Sequence, residues 1–366
     1  MLRQKNKFTK ALSLILALIF IISAFTGCGG DKNTEESTTK APEADVTEET
    51  TEPIDLTVRN PLTGSEDYDE ALLNNKPVFV VVENSAAGRP QWGLTSSDMV
   101  FEMVAEGGIA RMLLVYSDLS RLPDKIGPTR SARNYFVDIV EGFGGAFIHF
   151  GGPPNAYTAI RDNGTVTMDG YTNAGSYFKR DSDRLAAGVS LEHTAYTTRE
   201  LATTYFTENN LDLTIEDAYK RPFKFNNEKV KLNSGDCTEI TFTLSSSYKY
   251  TYTLNEENNR YYSSLNGSKF VDSEGNQQNF DNVIICYTSI YPLNDGTDDN
   301  RVIIELNEGS GVYVSNGTYE NITWKKGGTE NVLKFYGADG KELNLNIGRT
   351  YVGITQDTNA SQTVIA

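Results

Sequence analysis

The stretch 77–117 decides the fold of the first half of the chain. It is PVFVVVENSAAGRPQWGLTSSDMVFEMVAEGGIARMLLVYS. Residues 77–83 form a nearly continuous apolar run of strand length, which predicts a strand buried on both faces. Residues 97–106 and 109–117 are two further strand-like runs, and the Gly-Gly pair between them is typical of a hairpin turn. We therefore expect a sheet with buried strands at the centre of this half.

Helical patterns alternate with strand patterns as far as residue 220. Residues 129–143 carry their apolar side chains on one face, as an amphipathic helix does. Residues 145–150 form another strand-like run, and a helix that begins with two prolines follows it. A capping box of Thr197 and Glu200 predicts a third helix over 197–209. The first half is therefore predicted to be a mixed α/β unit.

The chain changes character from residue 221 onward. Short runs of alternating Thr, Tyr, Val and Ile recur there, separated by turn signals such as Asn266-Gly267 and Asn316-Gly317. The overall prediction is an α+β protein with a mixed α/β domain over 56–220 and a smaller β-rich domain over 221–366. The pattern leaves open whether the two pack as one body.

The first residues have the pattern of an export signal. Four cations within the first ten residues precede an apolar run, 11–25, that is short for a membrane span. Phe25-Thr26-Gly27-Cys28 follows and resembles the lipobox of bacterial lipoproteins. We therefore expect a signal peptide over 1–27 and a lipid on Cys28 that holds the chain on the outer face of the cell membrane. The alternative is an ordinary signal peptide or anchor with an incidental Cys.

Composition narrows the remaining possibilities. Residues 28–55 are rich in Thr, Glu, Ser and Pro, which predicts a disordered acidic tether. The chain has 33 Lys+Arg against 49 Asp+Glu, a formal net charge of -16, which argues against nucleic acid as a partner. Two His and no metal-binding or cofactor motif predict neither a metal site nor a cofactor. Cys237 and Cys286 are expected to be unpaired, with a disulfide as the alternative.

Two acids and an arginine in the first half are candidates for a site. Glu102 and Glu106 are four residues apart and would share a face on a strand or a helix. Paired carboxyls can divide acid and base roles, or they can form a solvated polar face. Arg111 lies in an otherwise apolar strand, where an arginine needs a partner. That partner is one of the two acids or a ligand.

The segment 126–133, IGPTRSAR, is a candidate anion site. A Gly-Pro turn would deliver Arg130 and Arg133 to the first turn of a helix, where free N–H groups attract anions. The anion would be a buried carboxylate or a ligand. His149, at the end of a strand, and His193 could complete a polar cleft with the arginines, although His149 could equally be a core residue.

Several of these motifs together resemble one known family. They are NPLTG at 60–64, RPQWGL at 89–94, VFEMVAEGGIAR at 100–111, IGPTRSARNYF at 126–136 and HFGGPPNA at 149–156. This combination is similar to the YerB-like lipoproteins of Gram-positive bacteria. The resemblance implies a three-layer α/β N-terminal domain, a smaller β-rich C-terminal domain and an extracytoplasmic location. It implies no particular reaction.

Two functions remain open on the sequence. The preferred one is a non-catalytic lipoprotein that binds an anionic cell-envelope component or a protein partner through an arginine-rich cleft. The alternative is a peptidoglycan or glycan hydrolase that uses Glu102 or Glu106 with His149. Convergence of these side chains on an open pocket would favour the enzyme, and a buried, mutually paired network would favour a structural role.

Overall fold

The computed structural model describes residues 58–296 and 300–366, and all elements below lie in these ranges. The predicted signal peptide, Cys28 and the tether lie outside them. The helices are α1 (Asn134–Gly142), α2 (Pro154–Asn163), α3 (Ser182–Ala186) and α4 (Arg199–Glu208). The first strands are β1 (Val78–Glu83), β2 (Met99–Val104), β3 (Ala110–Tyr116), β4 (Ala146–His149), β5 (Val166–Asp169), β6 (Lys179–Arg180), β7 (Ala195–Tyr196), β8 (Lys224–Phe225), β9 (Gly235–Asp236), β10 (Glu239–Ser245), β11 (Tyr248–Asn255) and β12 (Arg260–Leu265). The others are β13 (Ser268–Lys269), β14 (Asn279–Phe280), β15 (Asn282–Thr288), β16 (Ile290–Pro292), β17 (Val302–Ile304), β18 (Glu308–Ser315), β19 (Thr318–Lys325), β20 (Lys334–Tyr336), β21 (Asn344–Leu345), β22 (Thr350–Gln356) and β23 (Val364–Ile365).

A large mixed sheet runs through the molecule in the order β20-β19-β18-β15-β22-β2-β3-β1-β4-β5, and β9 adds to β19. The predicted buried strand is β1, in which every residue is buried. The predicted hairpin is confirmed, because β2 and β3 pair antiparallel on either side of the Gly-Gly turn. Both of these strands are also fully buried.

The central sheet takes strands from both predicted units. The strand β22, close to the C-terminus, pairs in parallel with β2 and with β15. The segments 56–220 and 221–366 therefore share one continuous sheet, and residues 56–366 form one compact unit. Their packing as one body settles the point that the sequence left open.

This sheet is the middle one of three layers. One face packs against α1 and α2 through residues such as Phe79, Phe101 and Phe136. The other face packs against α4 and a second sheet, in the order β13-β12-β11-β10-β23 with β14 beside β12. The α+β architecture expected from the sequence is thus observed, with its three layers extending across the whole described chain.

Several strands share a direction, and this places their ends together. β1 pairs in parallel with β4, and β4 with β5. β2 and β1 are both antiparallel to β3, so β2 runs the same way as β1. The carboxyl ends of these strands meet at one edge of the sheet, which is where α/β proteins commonly bind ligands.

The first helix begins later than predicted. The pattern predicted a helix from residue 129, but α1 starts at Asn134, and Arg133 is the preceding residue without a side-chain cap. The peptide N–H of Arg130 donates to Val81 and that of Ala132 donates to Gly151. Because this extended stretch bonds to neighbouring chain segments, its donors are used before a helix can begin. The expected delivery of Arg130 to a helix N-terminus is therefore wrong.

The helix predicted over 197–209 is α4, with a shifted cap. The Thr198 hydroxyl, rather than that of Thr197, accepts from the N–H of Leu201. The hydroxyl of Thr197 donates instead to the carbonyl of Tyr177. The capping box was therefore displaced by one residue.

Cys237 and Cys286 are free and buried, as expected. They pack on opposite faces of the central sheet, so no disulfide joins them. Within the described ranges, no helix has the length and apolar character needed to cross a membrane.

Candidate functional site

The carboxyl-end edge of the sheet collects the candidate side chains. The extended segment 129–132 runs between the ends of β1 and β4, with Thr129 bridged to Val82 and the carbonyl of Arg130 accepting from Phe150. Arg111 is aligned with Glu83, the last residue of β1. The seven predicted residues all lie at or near this edge, but they belong to four separate groups of contacts.

The first group joins two arginines through one carboxylate. Glu106 Oε2 lies 3.3 Å from Arg111 Nη2, and Arg133 holds the same carboxylate through Nε, at 2.5 Å, and Nη2. Both guanidinium groups also donate to the carbonyl of Ser131. Arg111 and Arg133 are 8% and 7% exposed. Of the partners that the sequence left open for Arg111, the structure shows Glu106, in a cluster of two buried cations and one half-buried anion.

The electrostatics of this cluster show its excess of positive charge. Burial, followed by the charge of Arg133, lowers the pKa of Arg111 to about 10. Burial raises the pKa of Glu106, but the hydrogen bonds from Arg133 and the charges of Arg111 and Arg133 outweigh this effect and leave that pKa below its usual value. The carboxylate is therefore held ionised by its partners.

Glu102 lies in a second group, on the other face of the sheet. Its carboxylate accepts from Asn84 (2.5 Å), Tyr250 (2.9 Å) and Tyr351 (2.8 Å), and its side chain has no exposed surface. Burial raises its pKa to about 7, although the three hydrogen bonds oppose this shift. The expectation that Glu102 and Glu106 share a face is wrong, because β2 ends at Val104 and Glu106 lies in the following turn.

A third group, which we call the Arg130–His193 notch, consists of Glu83, Arg130, Glu192 and His193. On its buried side, Glu83 lies 2.8 Å from His193 Nδ1 and 3.6 Å from Arg130 Nη1. On its exposed side, Glu192 lies 3.3 Å from Arg130 Nη2 and 3.7 Å from His193 Nε2. The Glu83 side chain is 4% exposed and that of Glu192 is 62% exposed. Arg130 and His193 thus share two carboxylates, one fixed and one facing water.

A further cation adjoins the notch. Arg180 donates to the carbonyl of Leu191 and stacks over the ring of Phe150 at 4.6 Å. Burial lowers the pKa of Arg180, and the nearby charge of Arg130 lowers it further. Arg180 therefore adds a second guanidinium beside Arg130, and the two arginines balance the two carboxylates of Glu83 and Glu192.

The fourth group surrounds His149 at the end of β4. Its Nδ1 lies 2.9 Å from the Gly151 carbonyl and 3.7 Å from Asp169 Oδ1. Asp169 in turn accepts from the Tyr157 hydroxyl and from the N–H of Gly151. Burial lowers the pKa of His149, partly opposed by Asp169. Nε2 is buried without a hydrogen-bond partner in the described chain, which suits a neutral imidazole within the core.

Sequence reasoning missed three acids that organise these groups: Glu83, Asp169 and Glu192. Glu83 and Asp169 each end a strand of the parallel set, at the edge where functional side chains gather. A charged residue closing an apolar run such as VFVVVE was the available signal. Glu192 had no comparable signal, because its role depends on where its loop folds back. Within the described ranges, no group of three or more His, Cys, Asp and Glu is arranged to hold a metal ion.

Comparison with known proteins places this architecture in a family. The protein-family model described as "Protein of unknown function (DUF3048) N-terminal domain" matches residues 62–212. The model of the corresponding C-terminal domain matches residues 239–352. In sequence, the chain is 29% identical over 311 residues to "Putative lipoprotein YerB" of Bacillus subtilis (strain 168), covering 83% of this chain and 88% of that protein.

The chain belongs to the DUF3048 family.

A solved structure of the family agrees with this assignment. The crystal structure of YerB from Bacillus subtilis superposes with a TM-score of 0.73 at 27% identity. The match covers 84% of this chain and 99% of that one. The overall fold of this chain is therefore shared with a solved structure over most of its length.

Proposed function

We propose that this chain is a lipid-anchored, extracytoplasmic binding protein that recognises an anionic group of a cell-envelope component or partner through the Arg130–His193 notch. The observation that carries this proposal is the exposed carboxylate of Glu192 between Arg130 and His193. An exposed ion pair contributes only about 0–1 kcal/mol, so an incoming anion can replace Glu192 at little cost. Glu83 keeps both basic side chains in place from the buried side.

The cluster of Glu106, Arg111 and Arg133 supports the notch without forming part of it. Its arginines donate to the carbonyl of Ser131, the residue after Arg130. They therefore help to hold the extended segment that carries Arg130. The positive charge of Arg111 and Arg133 also adds to the local potential that attracts an anion.

The hydrolase alternative is less well supported by these contacts. Glycoside hydrolysis commonly needs two carboxyl groups on either side of the bond that breaks. Glu102 is enclosed by three donors, and Glu106 is engaged by two arginines. His149 contacts Asp169 rather than either of these glutamates. These contacts favour a structural role over a catalytic one for Glu102, Glu106 and His149.

Lipid attachment at Cys28 is tested by Cys28→Ser. The lipobox-like residues and the name of the Bacillus subtilis relative support this part of the proposal. The wild-type chain should sediment with membranes and incorporate labelled fatty acid. The variant should lose the label, because serine has no thiol to acylate. Labelling of the variant at the wild-type level would refute attachment at this residue.

Binding at the notch is tested by two substitutions with opposite expected signs. Arg130→Ala removes a charge-assisted contact of about 1.5–3 kcal/mol and should lower recovery of the bound envelope component roughly tenfold or more. Glu192→Gln removes the competing carboxylate and should raise recovery. The readout is pull-down of the full chain from native membranes. The control is Arg161→Ala, since the Arg161 side chain is 72% exposed and its ion pair among the described residues is with the neighbouring Asp162. Equal recovery with all four chains would contradict the proposal.

A further inference from the structure

A polar cavity lies where β2, β15 and β22 begin, at the edge of the central sheet opposite to the Arg130–His193 notch. Its volume is about 380 Å³, and its walls include Asn60, Asp98, Arg121, Arg260, Asp281 and Arg349. It therefore lies between the two segments matched by the family models. None of these residues belongs to the Arg130–His193 notch.

The buried acids of this cavity already have cationic partners. Arg121 binds Asp98 with two hydrogen bonds, of 3.1 and 3.0 Å. Asp281 lies 2.6 Å from Lys229 Nζ and 3.5 Å from Arg260 Nε. A third acid, Asp67, is exposed at the cavity wall and accepts from the hydroxyl of Ser65. The carboxylates of Asp98 and Asp281 are therefore matched before Arg349 is considered.

Arg349 brings a fourth cation to the cavity, and in the described part of the chain its side-chain hydrogen bonds go to neutral carbonyl groups. Its Nε donates to the carbonyl of Ser97 (2.7 Å) and its Nη1 donates to that of Asn279 (3.0 Å). Nη2 is buried and has no hydrogen-bond acceptor in the described part of the chain. A buried donor without an acceptor is unfavourable, and more so if it is charged. The guanidinium of Arg349 therefore has a donor to offer to a ligand.

Arg260 adds a second guanidinium group near Arg349, which favours the binding of an anion in this cavity. Burial lowers the pKa of Arg349 to about 10; the charge of Asp98 opposes this shift, that of Arg260 adds to it, and that of Asp281 also opposes it. The Arg260 side chain is 43% exposed, and a single contact at 3.5 Å is its one ion pair among the described residues. Two neighbouring guanidinium groups that both retain donors form an arrangement that one oxyanion can bridge.

We propose that this cavity binds a small hydroxylated oxyanion, with its carboxylate or phosphate group between Arg349 and Arg260. A volume of about 380 Å³ exceeds that of the anionic group alone. Thr63 and Ser96 are among the residues that line the cavity. The Ser96 hydroxyl donates to the Gly93 carbonyl, but a hydroxyl oxygen retains lone pairs that can accept from the hydroxyl groups of such a molecule. The ligand class is therefore a hydroxy acid or a polyol phosphate.

The test is isothermal titration of the full chain with citrate and, separately, with glycerol 3-phosphate, each at constant ionic strength. We expect saturable binding of at least one of them, weakened tenfold or more in Arg260→Gln and in Arg349→Gln. Arg349→Gln also loses two hydrogen bonds to carbonyls, so its folding is checked by thermal unfolding, and the half-exposed Arg260 supplies the second variant. Arg161→Gln controls for the loss of one positive charge, and Arg130→Ala separates this site from the notch. Binding of citrate alone assigns a carboxylate, and binding of glycerol 3-phosphate alone assigns a phosphate.

Two results would overturn the proposal. One is the lack of saturable binding of both probes to the wild-type chain at millimolar concentration. The other is equal affinity in wild type and in folded Arg260→Gln, which would show that any binding occurs elsewhere.

Discussion

Replacing Glu106 with glutamine should destabilise the folded chain by about 3 kcal/mol, because two buried guanidinium groups lose their counter-charge. Glutamine keeps the size of the side chain, so the change removes charge and leaves the packing in place. Arg111 and Arg133 would then repel each other across the position of the former carboxylate. The measurement is urea unfolding followed by tryptophan fluorescence.

The matched control is Glu308→Gln. Glu308 pairs with Lys325 at 3.1 Å on the surface, where their side chains are 67% and 60% exposed. Its loss should cost about 1 kcal/mol or less. Adding Arg111→Met to Glu106→Gln should recover part of the stability, because one of the two unpaired charges is then removed. If Glu106→Gln lowers the unfolding free energy no more than Glu308→Gln does, the cluster does not stabilise the fold.

We expect the unfolding free energy of the wild-type chain to fall as the pH rises from about 4.5 to 7. The substitution Glu102→Gln should abolish this fall. In the folded chain, burial raises the pKa of Glu102 from 4.5 to about 7. The folded state therefore keeps its proton over a range in which the unfolded state loses it, and stability falls as pH rises. The expected difference is about 3 kcal/mol between pH 4 and pH 8.

The observable is the difference in unfolding free energy between wild type and Glu102→Gln at each pH. Other titrating groups contribute to both chains, so the difference isolates Glu102. The variant should approach wild-type stability near pH 4 and exceed it near pH 8, because an amide avoids the cost of a buried charge. The surface substitution Glu308→Gln should not reproduce this dependence. A difference that stays constant with pH would contradict the raised pKa.

The strands were predictable because their apolar runs are local. The runs that became β1, β2 and β3 are continuous in the sequence, and burial follows directly from their composition. The insertion of β22 between β2 and β15 was not predictable, since nothing local records which distant strands pair. This long-range pairing is also what joins the two predicted units.

The residue types at the candidate site were predictable, but part of the predicted geometry was wrong. An arginine in an apolar strand indicated a partner but left open whether this was an acid or a ligand, and the structure places the carboxylate of Glu106 beside Arg111. The start of α1 was misjudged because residues 129–132 bond to the ends of β1 and β4, and tertiary hydrogen bonds outweigh local helix propensity. Glu192 could not be foreseen because its contact with Arg130 spans 62 residues of chain.

The central claim is that an anion of the cell envelope binds where Glu192 now lies. The most direct measurement is equilibrium binding of the full chain to isolated cell-envelope material at low and high salt, with wild type, Arg130→Ala, Glu192→Gln and the control Arg161→Ala. We expect wild-type binding to weaken with salt, Arg130→Ala to bind at least tenfold more weakly at low salt, Glu192→Gln to bind more tightly, and the control to match wild type. Binding that is insensitive to salt and equal in all four chains would contradict the claim.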